Sequence, residues 1–248
     1  MNEFVADVLT FARPIFLDAV ADLPGVTPII ETTNDEVRLT LHGRIRNGRD
    51  VGIRIYESTT ITRLITTLDP LEGADTSKPL LPALRYATTP EWLTIRAEAT
   101  AFDYGEEHFE IVLTEFLAQM LGSPPDAGKP IHLEMLRASL PGAVEHEGKL
   151  RINTASLCHA SVDVELSPLG DWVQATAPVA EVTLSEAQCL RMNDYTTFFR
   201  TKREGTRLLL EGEYPAALAD ANGMQWFAAH IAMTAENVAK NLALVADV

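Results

Sequence analysis

Between Asn222 and Val245 the apolar residues Met224, Phe227, Ala228, Ile231, Ala235, Val238, Leu242 and Val245 recur at steps of one, three and four. That is the spacing of a helix that buries one side. Gln225, His230, Glu236 and Lys240 take the other faces, and Asn222 with Gln225 three positions later forms a capping-box-like start. Upstream, Arg207 to Tyr214 reads as a buried strand that ends at Pro215. The same unit occurs earlier: a strand over Trp92 to Ala99, then Asp103-Tyr-Gly, then a helix carrying Phe109, Val112, Leu113, Phe116, Leu117 and Met120.

The chain opens with a helical stripe over Glu3 to Leu23, carried by Phe4, Val8, Phe11, Ala12, Ile15, Ala19 and Val20. Pro14 predicts a kink or a division into two short helices there, because it removes a backbone donor. Val37 to Gly43 and Asp50 to Tyr56 alternate apolar and polar around Asn47-Gly48, a hairpin signature. Val37, Leu39 and Leu41 share one face, as do Val51, Ile53 and Ile55. Thr59 to Leu68 fits a third strand, yet Ile61, Leu64, Ile65 and Leu68 also fit helical spacing, and both readings stay open. Lys78 to Tyr86 reads as a short helix. Ser123 to Pro130 holds three prolines and a glycine in eight positions, a linker.

The second half follows a similar order. A short helix over Ile131 to Leu140 stops at Pro141-Gly142, and Glu147-Gly148 marks a turn. Lys149 to Asn153 and Ser161 to Leu166 read as strands, and a turn over Ser167 to Asp171 leads into a strand from Trp172 to Ala177. Ser185 and Gln188 form a capping box opening a helix through about Phe199. Leu93 and Ile95 match Leu208 and Leu210 at a shift of 115, and Phe109, Leu113, Leu117 and Met120 match Phe227, Ile231, Ala235 and Val238 at 118. The expected architecture is therefore α+β, two tandem copies of a helix-flanked, twisted antiparallel sheet: residues 1–123, a proline-rich linker at 124–130, and residues 131–248.

The formal net charge is −15, −10 of it before Ala127 and −5 after. Phosphate backbones and anionic lipid surfaces attract clustered Lys and Arg, so nucleic acid and membrane are disfavoured partners. No apolar run reaches the roughly 20 residues a membrane span needs, and the acidic start lacks the basic flank of a secretory signal. With two cysteines, Cys158 and Cys189, no disulfide framework is expected. These features read as cytoplasmic.

The second half resembles the class I type III secretion chaperones, the CesT-like group, and the YbjN-type proteins. The likeness lies in Gly148-x-Leu150-x-Ile152, Val162-x-Val164-x-Leu166, Trp172-Val173, the Ser185 helix with Asn193, Leu208-x-Leu210, Glu213-Tyr-Pro and the long amphipathic ending. It spans about 110 residues and reaches the first half more faintly. The resemblance implies small, acidic α+β proteins that pair as dimers and hold an extended segment of another protein on apolar grooves, without catalytic residues. A typical member has one domain. Two copies in one chain would imitate the family's dimer as an intramolecular pseudo-dimer, so either a monomer or a homodimer is expected.

Phosphate-cradling glycine loops, His-Glu-x-x-His, Cys-x-x-Cys and Gly-x-Ser-x-Gly are all missing. Cys158-His159 is the most thiolate-like pair, but adjacent strand residues point to opposite faces. His42, His108, His132, His146, His159 and His230 lack metal-ligand spacing. No catalytic residue, cofactor or metal is assigned. Arg200-Thr-Lys-Arg203 reads as a solvated basic turn. The expected role is a non-enzymatic, chaperone-like or adaptor protein binding a polypeptide partner. Phe4, Phe11, Ile15, Leu39, Leu41, Ile53 and Ile55 are the candidate contact residues. The alternatives are an acidic regulator that competes with nucleic acid by mimicry, and an enzyme without a familiar motif.

Overall fold

The computed structural model describes residues 13–21, 26–32, 36–45, 49–58, 61–70, 75–100, 105–122 and 128–246. The chain divides into two compact units, Met1–Asp126 and Ala127–Val248, a boundary inside the proline-rich stretch. Each unit joins one six-stranded antiparallel sheet to helices, an α+β build.

In the first unit, helix α1 (residues 13–20) is followed by strands β1 (Val26–Thr32), β2 (Glu36–Ile45), β3 (Arg49–Ser58), β4 (Ile61–Pro70), β5 (Arg85–Thr88) and β6 (Trp92–Thr100), and by helix α2 (Gly105–Leu121). The sheet order is β1-β2-β3-β4-β6-β5. Period-two alternation in β6 turns Ile95, Ala97 and Ala99 toward a core built with Phe109, Val112, Leu113, Phe116, Leu117 and Met120 of α2 and Phe16 and Val20 of α1. Each large apolar side chain enclosed there contributes about 1.5–3 kcal/mol. The stretch left open between strand and helix is strand β4, paired with β6 over most of its length. The expected helix over Lys78 to Tyr86 does not form. Pro79 and Pro82 interrupt it, and α2 captures its backbone donors: Leu81 N–H donates to Gln119 Oε1 and Ala83 N–H to Glu115 Oε2, both at 3.0 Å. Phe4, Val8 and Phe11, the expected kink at Pro14, and the Asn47-Gly48 turn lie outside the described residues or at their border.

The second unit runs α3 (Leu133–Ser139), β7 (Val144–His146), β8 (Lys149–Asn153), β9 (Asp163–Leu169), β10 (Trp172–Glu181), α4 (Glu186–Met192), β11 (Arg200–Glu204), β12 (Arg207–Pro215) and α5 (Ala221–Ala246). Its sheet order is β7-β8-β9-β10-β12-β11. Glu147 and Gly148 both take positive φ, 52° and 75°, which makes the two-residue β7–β8 turn. Helix α5 packs across β9, β10 and β12 and brings Met224, Phe227, Ala228, Ile231, Ala232 and Ala235 into the core. Its N-terminal cap is Asp220 rather than Asn222, since Asp220 Oδ1 accepts from Gly223 N–H at 2.7 Å.

The Ser185 capping box is present, with Ser185 N–H donating to Gln188 Oε1 at 2.9 Å and Gln188 N–H to Ser185 Oγ at 3.2 Å. The helix it opens stops at Met192, short of Phe199. Asn193 Oδ1 instead accepts from Thr201 N–H at 2.7 Å and from its hydroxyl at 2.9 Å, pulling the chain into β11. Arg200 to Arg203 is accordingly strand and not a solvated turn. β11 is an outer strand, with Lys202, Arg203 and Glu204 exposed.

The two strand orders are the same when read in chain order, with the last strand inserted beside the fourth. The registers agree as well. β5–β6 pairs Arg85 with Arg96, and β11–β12 pairs Arg200 with Glu211, a shift of 115 on both strands. β4 and β10 differ by 111, and each slips its register against the next strand at the corresponding place, between Thr67 and Pro70 and between Pro178 and Ala180. Burial in the closing helices follows 115 rather than 118: Phe109, Val112, Leu113, Phe116, Leu117 and Met120 match the enclosed Met224, Phe227, Ala228, Ile231, Ala232 and Ala235. A three-residue slip keeps an apolar stripe nearly in phase, so spacing alone does not separate the two shifts. The turn before Trp172 joins the third and fourth strands of its sheet.

Candidate functional site: a strand fork in the second sheet

β9 and β10 pair from Leu169↔Trp172 to Glu165↔Thr176, and there the ladder ends among the described residues. β10 runs on to Glu181, paired with β12 on its far side through the register slip. β9 runs back to Asp163, paired with β8. The two strands part like the arms of a fork, and a cleft of about 630 Å³ occupies the opening. That volume lies within the range of small-ligand pockets. Pro178 sits at the slip, a position that tolerates a residue without a backbone donor.

Four carboxylates line the cleft, Asp163, Glu165, Glu181 and Glu204, against two arginines, Arg151 and Arg207. Both arginines are engaged by carboxylates of the same lining: Arg151 Nη2 lies 2.6 Å from Glu165 Oε1, and Arg207 Nε 3.0 Å from Glu181 Oε1. Asp163 accepts from Asn153 Nδ2 at 2.8 Å. The Arg151 hydrogen bond, reinforced by Lys149, outweighs burial and holds the Glu165 carboxyl below its usual range. The lining keeps a net charge of −2. Thr176, Leu209 and Val179 supply half-buried, less polar surface between the charges.

Beside the cleft, Arg200 bridges Glu211 and Glu213, and Lys202 Nζ reaches Glu211 Oε2 at 2.9 Å. Burial works against ionisation of both carboxyls. For Glu211 the Arg200 and Lys202 charges overcome it and the pKa falls, whereas at the more enclosed Glu213 burial prevails and the pKa rises. Of the basic stretch of the sequence, Arg200 is thus engaged by carboxylates of β12, while Lys202 and Arg203 remain exposed.

Among the sequence-derived contact residues, Ile15 is half-buried against the first core. The register sets Leu39 opposite Ile53, Leu41 opposite Val51 and Ile55 opposite Val37. β2 and β3 are interior strands, so neither offers the outer border of the sheet. Cys158 lies in the bend after a short 3₁₀ turn rather than on a strand, with its Sγ 3.9 Å from the Ala229 carbonyl. His159 is exposed and lies 3.7 Å from Glu236. His230 packs against Trp226, ring centroids 5.0 Å apart, and burial pushes its pKa down to about 4. Among the described residues, no group of three or more His, Cys, Asp or Glu is placed to hold a metal ion, and no helix is long and apolar enough to cross a membrane. The fork itself went unread in the sequence; Pro178 within an alternating strand was its one signal.

No protein-family model matches the chain, and no curated protein matches it. A solved structure, crystal form I of TP0453, aligns over 88% of this chain and 90% of its own at 10% identity and a TM-score of 0.17, a level that carries no argument.

Proposed function

We propose that this chain is a non-enzymatic protein-binding protein, chaperone-like or adaptor in role, that holds an extended polypeptide segment in the β9–β10 fork. The observation that carries this reading is a ten-residue strand whose second half is unpaired on the side facing an open cleft. An incoming strand satisfies such backbone groups by main-chain hydrogen bonds while side-chain contacts set its preference. The net negative lining favours basic side chains on that segment.

The reading includes two copies of one α+β plan in the chain. Its support is the shared strand order, the register shifts that agree within a strand pair, 111 across the third and fourth strands and 115 across the last two, and the register slip repeated at the same step of the fourth strand. The resemblance to secretion chaperones agrees with the role and adds nothing to the geometry.

A ten-residue peptide alternating Val and Lys tests the reading by calorimetry and amide NMR. Saturable binding with shifts at 177–181 is expected, together with at least tenfold weakening when alternate peptide nitrogens are methylated. Absence of binding, or equal binding of the methylated peptide, would sink it.

A further inference from the structure

Consecutive residues of an extended chain turn their side chains to opposite sides. Phe198 and Phe199, just before β11, do not, because both rings lie against α5. The Phe199 ring centroid is 5.8 Å from that of Phe227 and 5.5 Å from that of His230. Phe198 stands nearly perpendicular to Trp226 and His230, 5.5 Å from each. What brings the two rings to one side is the backbone of Phe198, whose φ of 65° lies in the left-handed region that a bulky side chain enters only at a cost. Gly212 leaves room for the bend, since a Cβ there would lie 3.0 Å from the Phe198 carbonyl oxygen. The strained conformation is offset by its ring contacts.

Beneath Phe198, the His230 imidazole stacks on the Trp226 indole with 11° between the planes, and its Nε2 is shut from water without a hydrogen-bond partner. A protonated imidazole carries N–H on both nitrogens, so Nε2 would become a buried donor with no acceptor. The indole face eases the charge but offers no acceptor. On α5 the charged residue nearest in sequence is Glu236, which meets His159 at 3.7 Å. The bend contributes Asp194 and the exposed Tyr195, while Arg200 turns to Glu211 and Glu213 of β12. Tyr214 of β12 lies 6.1 Å from Trp226, ring to ring. Glu134 and Arg137 of α3 and Glu186 and Arg191 of α4, the other helices packed on α5, are exposed. Burial alone pushes the His230 pKa down to about 4.

We infer that the bend at Phe198 is an acid-released lid over Trp226. Protonation of His230 is relieved by lifting the Phe198 ring, the backbone at 198 leaves the left-handed region, and an aromatic face of α5 is uncovered while the sheet stays folded. In the open form the imidazole regains its ordinary value of 6.5, so the open form binds more protons than the closed one. The ratio of open to closed therefore rises as pH falls through 6.5 and levels off below about 4. Between pH 7 and pH 4 the expected rise is about 100-fold.

The full chain is labelled with 5-fluorotryptophan, and the Trp226 signal is assigned among the three tryptophans by Trp226→Phe. Its solvent isotope shift is followed from pH 7 to pH 4 beside far-UV circular dichroism. Trp226 should move from half-covered to exposed with the dichroism unchanged. His230→Phe, which keeps a ring and takes no proton, should hold Trp226 covered throughout; His230→Gln should also remove the pH response, and serves if the phenylalanine variant does not fold. Phe198→Gly, which suits the bend but brings no ring, should leave Trp226 exposed already at pH 7. A Trp226 signal indifferent to pH overturns the inference. So does a pH response that survives in the His230 variants, a covered Trp226 in Phe198→Gly, or exposure that appears only together with loss of dichroism.

Discussion

Arg85 with Glu98 in the first unit and Arg200 with Glu213 in the second stand at corresponding places on the last hairpin, 115 residues apart. The first pair is sealed, with side chains 3% and 0% exposed, while Arg200 keeps 29% of its surface in water and spreads its donors over two carboxylates. The same strand order therefore carries two electrostatic solutions. An enclosed pair depends on each partner, because removing one strands a charge away from water. A shared, partly hydrated arginine has a second carboxylate to fall back on.

The sharpest way to break that comparison is to remove one carboxylate from each site. Glu98→Ala should cost about 3–5 kcal/mol, the range for breaking a buried ion pair. Glu213→Ala should cost clearly less, since Glu211 still holds Arg200. Urea unfolding followed by tryptophan emission distinguishes the two, and equal losses would mean that enclosure does not set the difference.

A second test concerns packing. Gly212 corresponds to Ala97, and a Cβ there would sit 2.5 Å from Phe199 Cδ1. Phe199 in turn corresponds to Leu84, a smaller side chain. Gly212→Ala should destabilise by about 1–3 kcal/mol, and adding Phe199→Leu should recover part of that loss, giving a favourable coupling in a double-mutant cycle. Strictly additive losses would separate the two hairpins as packing units.

Acid should distinguish the units as well. Burial pushes His108 down to about 3 and His230 down to about 4 from an ordinary value of 6.5. Both imidazoles stay neutral in the fold, so the unfolded chain binds more protons in those windows. Their contribution is complete above pH 6.5 and is lost as pH falls toward 3 in the first unit and toward 4 in the second. His108→Gln should flatten the fall of unfolding midpoint between pH 6.5 and 4, and an unchanged slope would remove His108 from the account. The smallest effect belongs to Lys149→Ala. Its contact with Glu165, 3.2 Å and half in water, is worth about 0–1 kcal/mol because Arg151 holds the same carboxylate.

Much of the fold was legible where periodicity is strong. The stripes of α2 and α5, the β8 strand and the Ser185 capping box each follow from local spacing. β5 and β11 were hidden because their identity depends on β6 and β12, which pair with them, and on side chains of α2 and α4 that divert their approach. Asn193 illustrates this: nothing local reveals that its amide oxygen binds Thr201 and ends the helix. The fork was hidden for a related reason. Alternation tells which residues face the core, but it does not tell where two strands cease to pair. Only the prolines, Pro178 at one slip and Pro70 at the other, hinted at an interrupted ladder.

β11 has a consequence for how copies of the chain meet. Its Lys202, Arg203 and Glu204 stand in water along the outer border of the second sheet, so another copy seeking to zip onto that border must dehydrate three charges first. Growth into a continuous ribbon is resisted there, even at high concentration.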